Sequence, residues 1–151
     1  MANSPSQNPS GRILLVDDNS MGLSARRSVL EELGHQVVTA GTAVEALDLC
    51  GKRGFDVVVT DYKMPKMNGV EFIGRLRKLH PATGVILISG FTDTLGLDEA
   101  STGADIVLQK SNNEVSQLIR AVNRLLRKQQ VPPKKQAASQ PGLKTDKRKT
   151  R

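Results

Sequence analysis

Five residues have types and spacing that could do chemistry together. An adjacent acid pair, Asp17-Asp18, directly follows a short aliphatic run. Asp61 directly follows another, Ser89 closes a third, and Lys110 comes soon after a fourth. Each alone has a bland reading: an Asp at such a place is most often a helix cap or a turn residue, and a lone Lys is a solvated charge. Three carboxylates brought to one place are different, because they repel, and one is driven neutral unless a cation intervenes. An oxygen-only ligand set suits a hard ion such as Mg²⁺, for which Mn²⁺ can substitute. Mg²⁺ typically takes one or two carboxylates, waters and phosphate oxygens. A carboxylate beside such an ion can attack phosphorus and form an acyl phosphate. The phosphoryl group in transfer carries negative charge that a cation and a positioned ammonium stabilise. Lys110 can supply the ammonium, and Ser89 can donate a hydrogen bond to the phosphoryl group once it is formed. After Asp61, Pro65 and Asn68-Gly69 read as turn chemistry, closing a tight loop before the next helix.

Position has to come from the fold. Five runs are almost continuously apolar, as in strands buried on both faces: Arg12–Val16, Gln36–Thr39, Asp56–Thr60, Val85–Ser89 and Asp105–Leu108. Helical spacing separates them. Met21–Leu33 is apolar at helical period, Thr42–Lys52 opens on the capping box Thr42-x-x-Glu45, and Val70–Leu79 follows Gly69. A weak helix is expected over Leu95–Ser101, where Gly96 counts against it. A last helix opens on Ser111-x-x-Glu114 and carries one apolar stripe, Val115, Leu118, Ile119, Val122, Leu125 and Leu126. Strand and helix in alternation imply a three-layer α/β/α fold, a parallel sheet covered on both faces with right-handed crossovers. Such sheets bind ligands at the carboxyl ends of their strands, where these aspartates, Ser89 and Lys110 fall.

The segments LLVDDN (14–19), TDYKMPKMNG (60–69), ISG (88–90) and VLQK (107–110) resemble the motifs of response-regulator receiver domains of two-component signalling. The resemblance covers residues 11–128. It implies the doubly wound, flavodoxin-like strand order 2-1-3-4-5 and a role at each matching position. Asp61 matches the phosphoacceptor and Asp18 the direct Mg²⁺ ligand. Asp17 acts on the metal through water, and Lys63 offers it a backbone carbonyl. Ser89 matches the switch hydroxyl and Lys110 the phosphate-binding lysine. The implied phosphodonor is a sensor histidine kinase or a histidine phosphotransfer protein, with an unspecified downstream protein partner. A homodimer through the helix 4, strand 5 and helix 5 face is a further implication, as is a switch with no appended output domain, catalysing only its own phosphorylation and dephosphorylation. Two positions depart from the family. Val107 stands where an aromatic usually reports the switch, and Ser111 stands where proline usually follows the lysine. Ser111 is expected to follow a trans peptide, because a non-proline cis bond costs about 2.5–4 kcal/mol, and to cap the last helix. With Val107 short and stiff, readout is expected through Ser89, Gly90 and Phe91 into the weak helix. The alternative is a phosphoryl shuttle or sink with little conformational output.

Composition bounds the other classes. The formal charge of +7 belongs to the end of the chain: residues 128–151 hold eight basic residues and one acid, whereas 1–127 hold 14 of each. Residues 1–10 read as a disordered lead-in and 129–151 as a flexible basic tail with little to pack into a core. No helix-turn-helix pattern accompanies the tail, so no specific DNA binding is expected. An aspartyl phosphatase would want Asp-x-Asp after its first strand, and a nucleotide-binding domain would want glycines there; this chain has adjacent aspartates. No apolar stretch approaches the ~20 residues of a membrane span. The one cysteine, Cys50, is read as a small apolar residue, in keeping with a cytoplasmic setting. His35 and His80 are far apart and suggest no metal site.

Overall fold

The structure, a computed structural model, describes residues 9–90 and 96–130. The apolar runs form β1 (Arg12–Val16), β2 (Gln36–Ala40), β3 (Val57–Asp61), β4 (Gly84–Ser89) and β5 (Ile106–Gln109). All pairings are parallel, in the order β2-β1-β3-β4-β5. This is the doubly wound order anticipated above. Every residue of β3 and β4 is buried, which is why those runs show no polar alternation.

Strand geometry then sorts the core into two layers, because successive side chains point to opposite faces. Leu14, Val16, Val58, Val85 and Leu87 face α2 (Ala43–Lys52) and α3 (Gly69–Leu79) through Ala46, Cys50, Phe72, Ile73 and Leu76. Ile13, Leu15, Val57, Val59, Ile86 and Ile88 face the other way, onto α1 (Ser20–Glu32) and the last helix, α5 (Glu114–Gln130). The predicted stripe on α5 supplies Leu118, Val122, Leu125 and Leu126 to that layer, while Val115 stays exposed. Cys50 is buried, as its apolar reading required, and burial pushes its thiol pKa up.

Local signals set the helix ends. Asn19 caps α1 by accepting from the backbone N–H of Met21 and Gly22. Thr42 caps α2 at Glu45 N, but Glu45 reaches back to Gly41 N rather than to Thr42. The start of α5 differs from expectation. The helix begins at Glu114, not after Ser111. Ser111 Oγ accepts from Asn113 N in a turn ahead of it, and the Glu114 carboxylate is engaged elsewhere. The peptides of the described residues are all trans, that before Ser111 included. Among the described residues after β4, a short helix, α4 (Glu99–Thr102), is capped by Asp98 with Ser101. Phe91 and the start expected at Leu95 lie outside the described residues, as do residues 1–8 and 131–151. α5 itself runs through Gln130, and Gln129 Nε2 donates to Asp56 O at the foot of β3.

Candidate functional site

The strand ends converge because the strands are in register. Val16, Thr60, Ile88 and Gln109 lie near one edge of the sheet, and the residues that follow them share its rim. Asp17 N donates to Ala40 O, Tyr62 N to Ile88 O and Lys110 N to Ser89 O, so the backbone ladder continues into the site. Asp61 is itself the last residue of β3, one position further into the strand than expected. Asp17, Asp18, Asp61, Lys63, Ser89 and Lys110, the six residues selected from sequence, all line one open cleft.

The loop behind Asp61 is held from both sides. Asn68 and Glu71 form a reciprocal capping box on α3, with bonds of 2.9 and 3.0 Å, and Gly69 N donates to Tyr62 O at 2.8 Å. The glycine is there for space. A Cβ at position 69 would lie 2.5 Å from Asp61 O and 3.0 Å from Tyr62 Cα. Met64 is buried in the core and Met67 packs against it, which pins the loop. Lys66 carries the strain, with φ of 71° in the left-handed region.

Asp61, Asp17 and Asp18 each place a carboxylate oxygen within 4.8 Å of the others. Asp17 and Asp61 are buried and Asp18 is exposed. Burial raises the Asp61 pKa, and the charge of Asp17 pushes the same way, against the pull of Lys110 and Arg26. Lys110 Nζ stands 2.9 Å from Asp61 Oδ1, an ion pair at hydrogen-bonding distance. Asp61 is thus paired with a lysine while it shares the rim with two further carboxylates, which together could hold a cation. An all-oxygen donor set of three clustered carboxylates fits a hard divalent ion.

Asp17 is less open. Its Oδ1 accepts from Asn19 N at 3.0 Å, and its Oδ2 is paired with Arg26 Nη1 at 2.8 Å. Arg26 also meets Glu114 Oε2 at 2.8 Å. Sequence reasoning missed Arg26 and read Glu114 only as a capping residue. The one available signal was an arginine on the inward stripe of α1, between Leu23 and Leu30. Val107 is half-buried against the core, and its N–H donates to Glu99 Oε2. His35 and His80 are structural: His35 Nδ1 accepts from Gly11 N, and His80 Nε2 lies 2.7 Å from Cys50 O.

The chain thus combines a doubly wound parallel sheet with an acid cluster that could hold a metal and an opposed lysine at its carboxyl rim. A family model described as the response regulator receiver domain matches residues 13–123. The chain belongs to that family, the receiver domains of two-component signalling. It is 40% identical over 93 residues to the virulence sensor protein BvgS of Bordetella bronchiseptica, a match covering 59% of this chain and 8% of BvgS. The chain thus corresponds to a small part of that relative. Among solved structures, a response regulator receiver domain protein from Clostridium thermocellum superposes with a TM-score of 0.72 at 31% identity, over 78% of this chain and 95% of that one. TrrA of Thermotoga maritima, solved in complex with Mg(2+)-BeF, superposes with a TM-score of 0.69 at 32% identity, over 76% and 97%. Among the described residues, no helix is long and apolar enough to cross a membrane.

Proposed function

We propose that this receiver takes a phosphoryl group onto Asp61 in a Mg²⁺-dependent reaction, with a histidine kinase or histidine phosphotransfer protein as donor. The observation that carries the reading is the buried Asp61, clustered with Asp17 and Asp18 and with Oδ1 2.9 Å from Lys110 Nζ. An Asp61 oxygen forms the new bond to phosphorus. The P–N bond of a phosphohistidine, or the P–O bond of a small donor, breaks, and its electron pair leaves with the leaving group. Lys110 stands where its ammonium offsets charge on the transferred oxygens, and Ser89 lines the same cleft. A bound Mg²⁺ supplies charge neutralisation and orientation of the phosphoryl oxygens. Asp18, exposed at the rim, and Asp61 would hold it directly. Asp17, with both oxygens engaged inside the protein, acts through water, and Lys63 offers its carbonyl. The chemistry is confined to the domain's own phosphorylation and its hydrolysis. A reducing, cytoplasmic setting suits the buried Cys50 thiol.

The phosphorylated state is read by a protein partner. The edge strand β5 with α4 and α5 is the candidate face for that partner or for a second copy. A second reading, a phosphoryl sink with little conformational output, is favoured by Val107, which is too short to swing as an aromatic would. The test is intact-mass measurement after incubation with acetyl phosphate and Mg²⁺. The reading expects one added phosphoryl group, lost when the metal is chelated beforehand. Labelling that ignores the metal, or no labelling, contradicts it.

A further inference from the structure

The guanidinium of Arg26 is a second cation of the site, set deeper than Lys110 and aimed at a different carboxylate. Its side chain is 8% exposed, that of Asp17 2% and that of Glu114 17%. Arg26 Nη1 pairs with Asp17 Oδ2, while Nε and Nη2 both meet Glu114 Oε2 at 2.8 Å. α1 makes room for this arrangement. A Cβ at Gly22 would lie 3.3 Å from Asp17 Oδ2 and 3.9 Å from Arg26 Nη1. A helix-interior glycine costs about 1 kcal/mol relative to alanine, and Gly22 does not need a positive φ, so space is its physical justification.

The charges then decide the role. Asp17, Asp18 and Asp61 bring three negative charges to one point, and Lys110 and Arg26 bring two positive ones. Glu114 draws on Arg26 from behind and weakens its hold on Asp17. The cation affinity of the rim thus depends in part on how much of the Arg26 charge Asp17 receives.

We propose that Arg26 is a positioning residue that holds down the divalent-metal affinity of the rim by partly neutralising Asp17, and that Glu114 tunes this by sharing the guanidinium. The proposal rests on the reading of the rim as a Mg²⁺ site. It also links that site to the first turn of α5, where Glu114 stands.

The test is MgCl₂ titration of the full chain without any phosphodonor, followed by the emission of Tyr62. Tyr62 is the only tyrosine in a chain without tryptophan and sits next to Asp61. Arg26→Gln should tighten Mg²⁺ binding about a hundredfold, the scale of one unit charge against a divalent ion at roughly 10 Å in an effective dielectric near 20, less what salt screens. Glu114→Gln keeps an acceptor for Arg26 but removes the competing charge, so it should weaken Mg²⁺ binding severalfold. A purely structural strut gives the reverse pattern, with weaker binding in Arg26→Gln and no change in Glu114→Gln, and that result overturns the proposal. If Arg26→Gln does not fold, Glu114→Gln decides alone: a weaker affinity upholds the proposal and an unchanged one rejects it. If the wild-type chain binds no Mg²⁺, the metal reading itself falls and this inference falls with it. Wild-type binding with unmoved variants rejects only the role of Arg26.

Discussion

Gly69→Ala isolates the packing that seats the acceptor. The new methyl would lie 2.5 Å from Asp61 O, 2.8 Å from Leu87 Cδ1 and 3.0 Å from Tyr62 Cα, where ordinary contact begins at 3.4 Å. Two of the three neighbours are backbone, so no rotamer change relieves them, and the loop must retreat by about an ångström. Overpacking of this kind costs about 1–3 kcal/mol, and the backbone clash puts Gly69 at the upper end. Better helix propensity returns at most about 1 kcal/mol. The net loss of about 2 kcal/mol corresponds to a fall in Tm of about 8 °C, taking roughly 4 °C per kcal/mol for a domain of this size. A displacement of about 1 Å at a reacting group costs on the order of 100-fold in rate, so labelling of Asp61 should slow far beyond what the stability loss explains. The control is Gly74→Ala in the same helix, where a Cβ meets nothing within 4 Å. It should gain roughly 0.5–1 kcal/mol with labelling unchanged. Calorimetric scans and a phosphodonor time course read both variants. A Gly69→Ala protein with wild-type Tm and labelling rate would refute the close-packing argument.

Three further predictions follow from particular contacts. Burial lowers the His35 pKa in the folded chain, so its contribution is present above about pH 6.5 and is lost as pH falls below that value; the wild-type Tm should drop over that range, and His35→Gln should flatten the slope. Lys66→Gly relieves a left-handed backbone at φ 71° and should raise stability by up to about 1 kcal/mol in urea unfolding, without changing labelling. Asp18→Asn should weaken Mg²⁺ binding far more than Asp17→Asn, because both Asp17 oxygens already have partners inside the protein; equal losses in the titration would reject that division of roles.

The layers of this fold could be read from the sequence because burial on both faces leaves an unbroken apolar run, and five such runs alternating with helical periodicity fit a covered parallel sheet. The cleft could be read for the same reason: once the strands are placed, their ends meet, and Asp17, Asp18, Asp61, Ser89 and Lys110 arrive together. Local signals misled where a second partner competed. Ser111-x-x-Glu114 has the spacing of a capping box, yet Glu114 is drawn to Arg26, and the helix starts there instead. Asn68-Gly69 looked like a turn, but Asn68 is an N-cap with Glu71, and Gly69 is chosen by the approach of the Asp61 carbonyl. That approach joins residues eight apart through tertiary packing, which a local pattern does not encode. Arg26 went unnoticed because an arginine on a helix is ordinarily solvated, and only the 88-residue separation from Glu114, closed by the fold, reveals its partner.

The most direct test of the account locates the phosphoryl group. The full chain is treated with acetyl phosphate and Mg²⁺, the acyl phosphate is trapped by borohydride reduction, and the digested peptides are sequenced by mass spectrometry. The account predicts that the reduced residue, homoserine in place of aspartate, appears at position 61 and that Asp61→Asn yields none. Reduction at Asp17 or Asp18, or undiminished labelling of Asp61→Asn, would contradict the assignment of Asp61 as the acceptor.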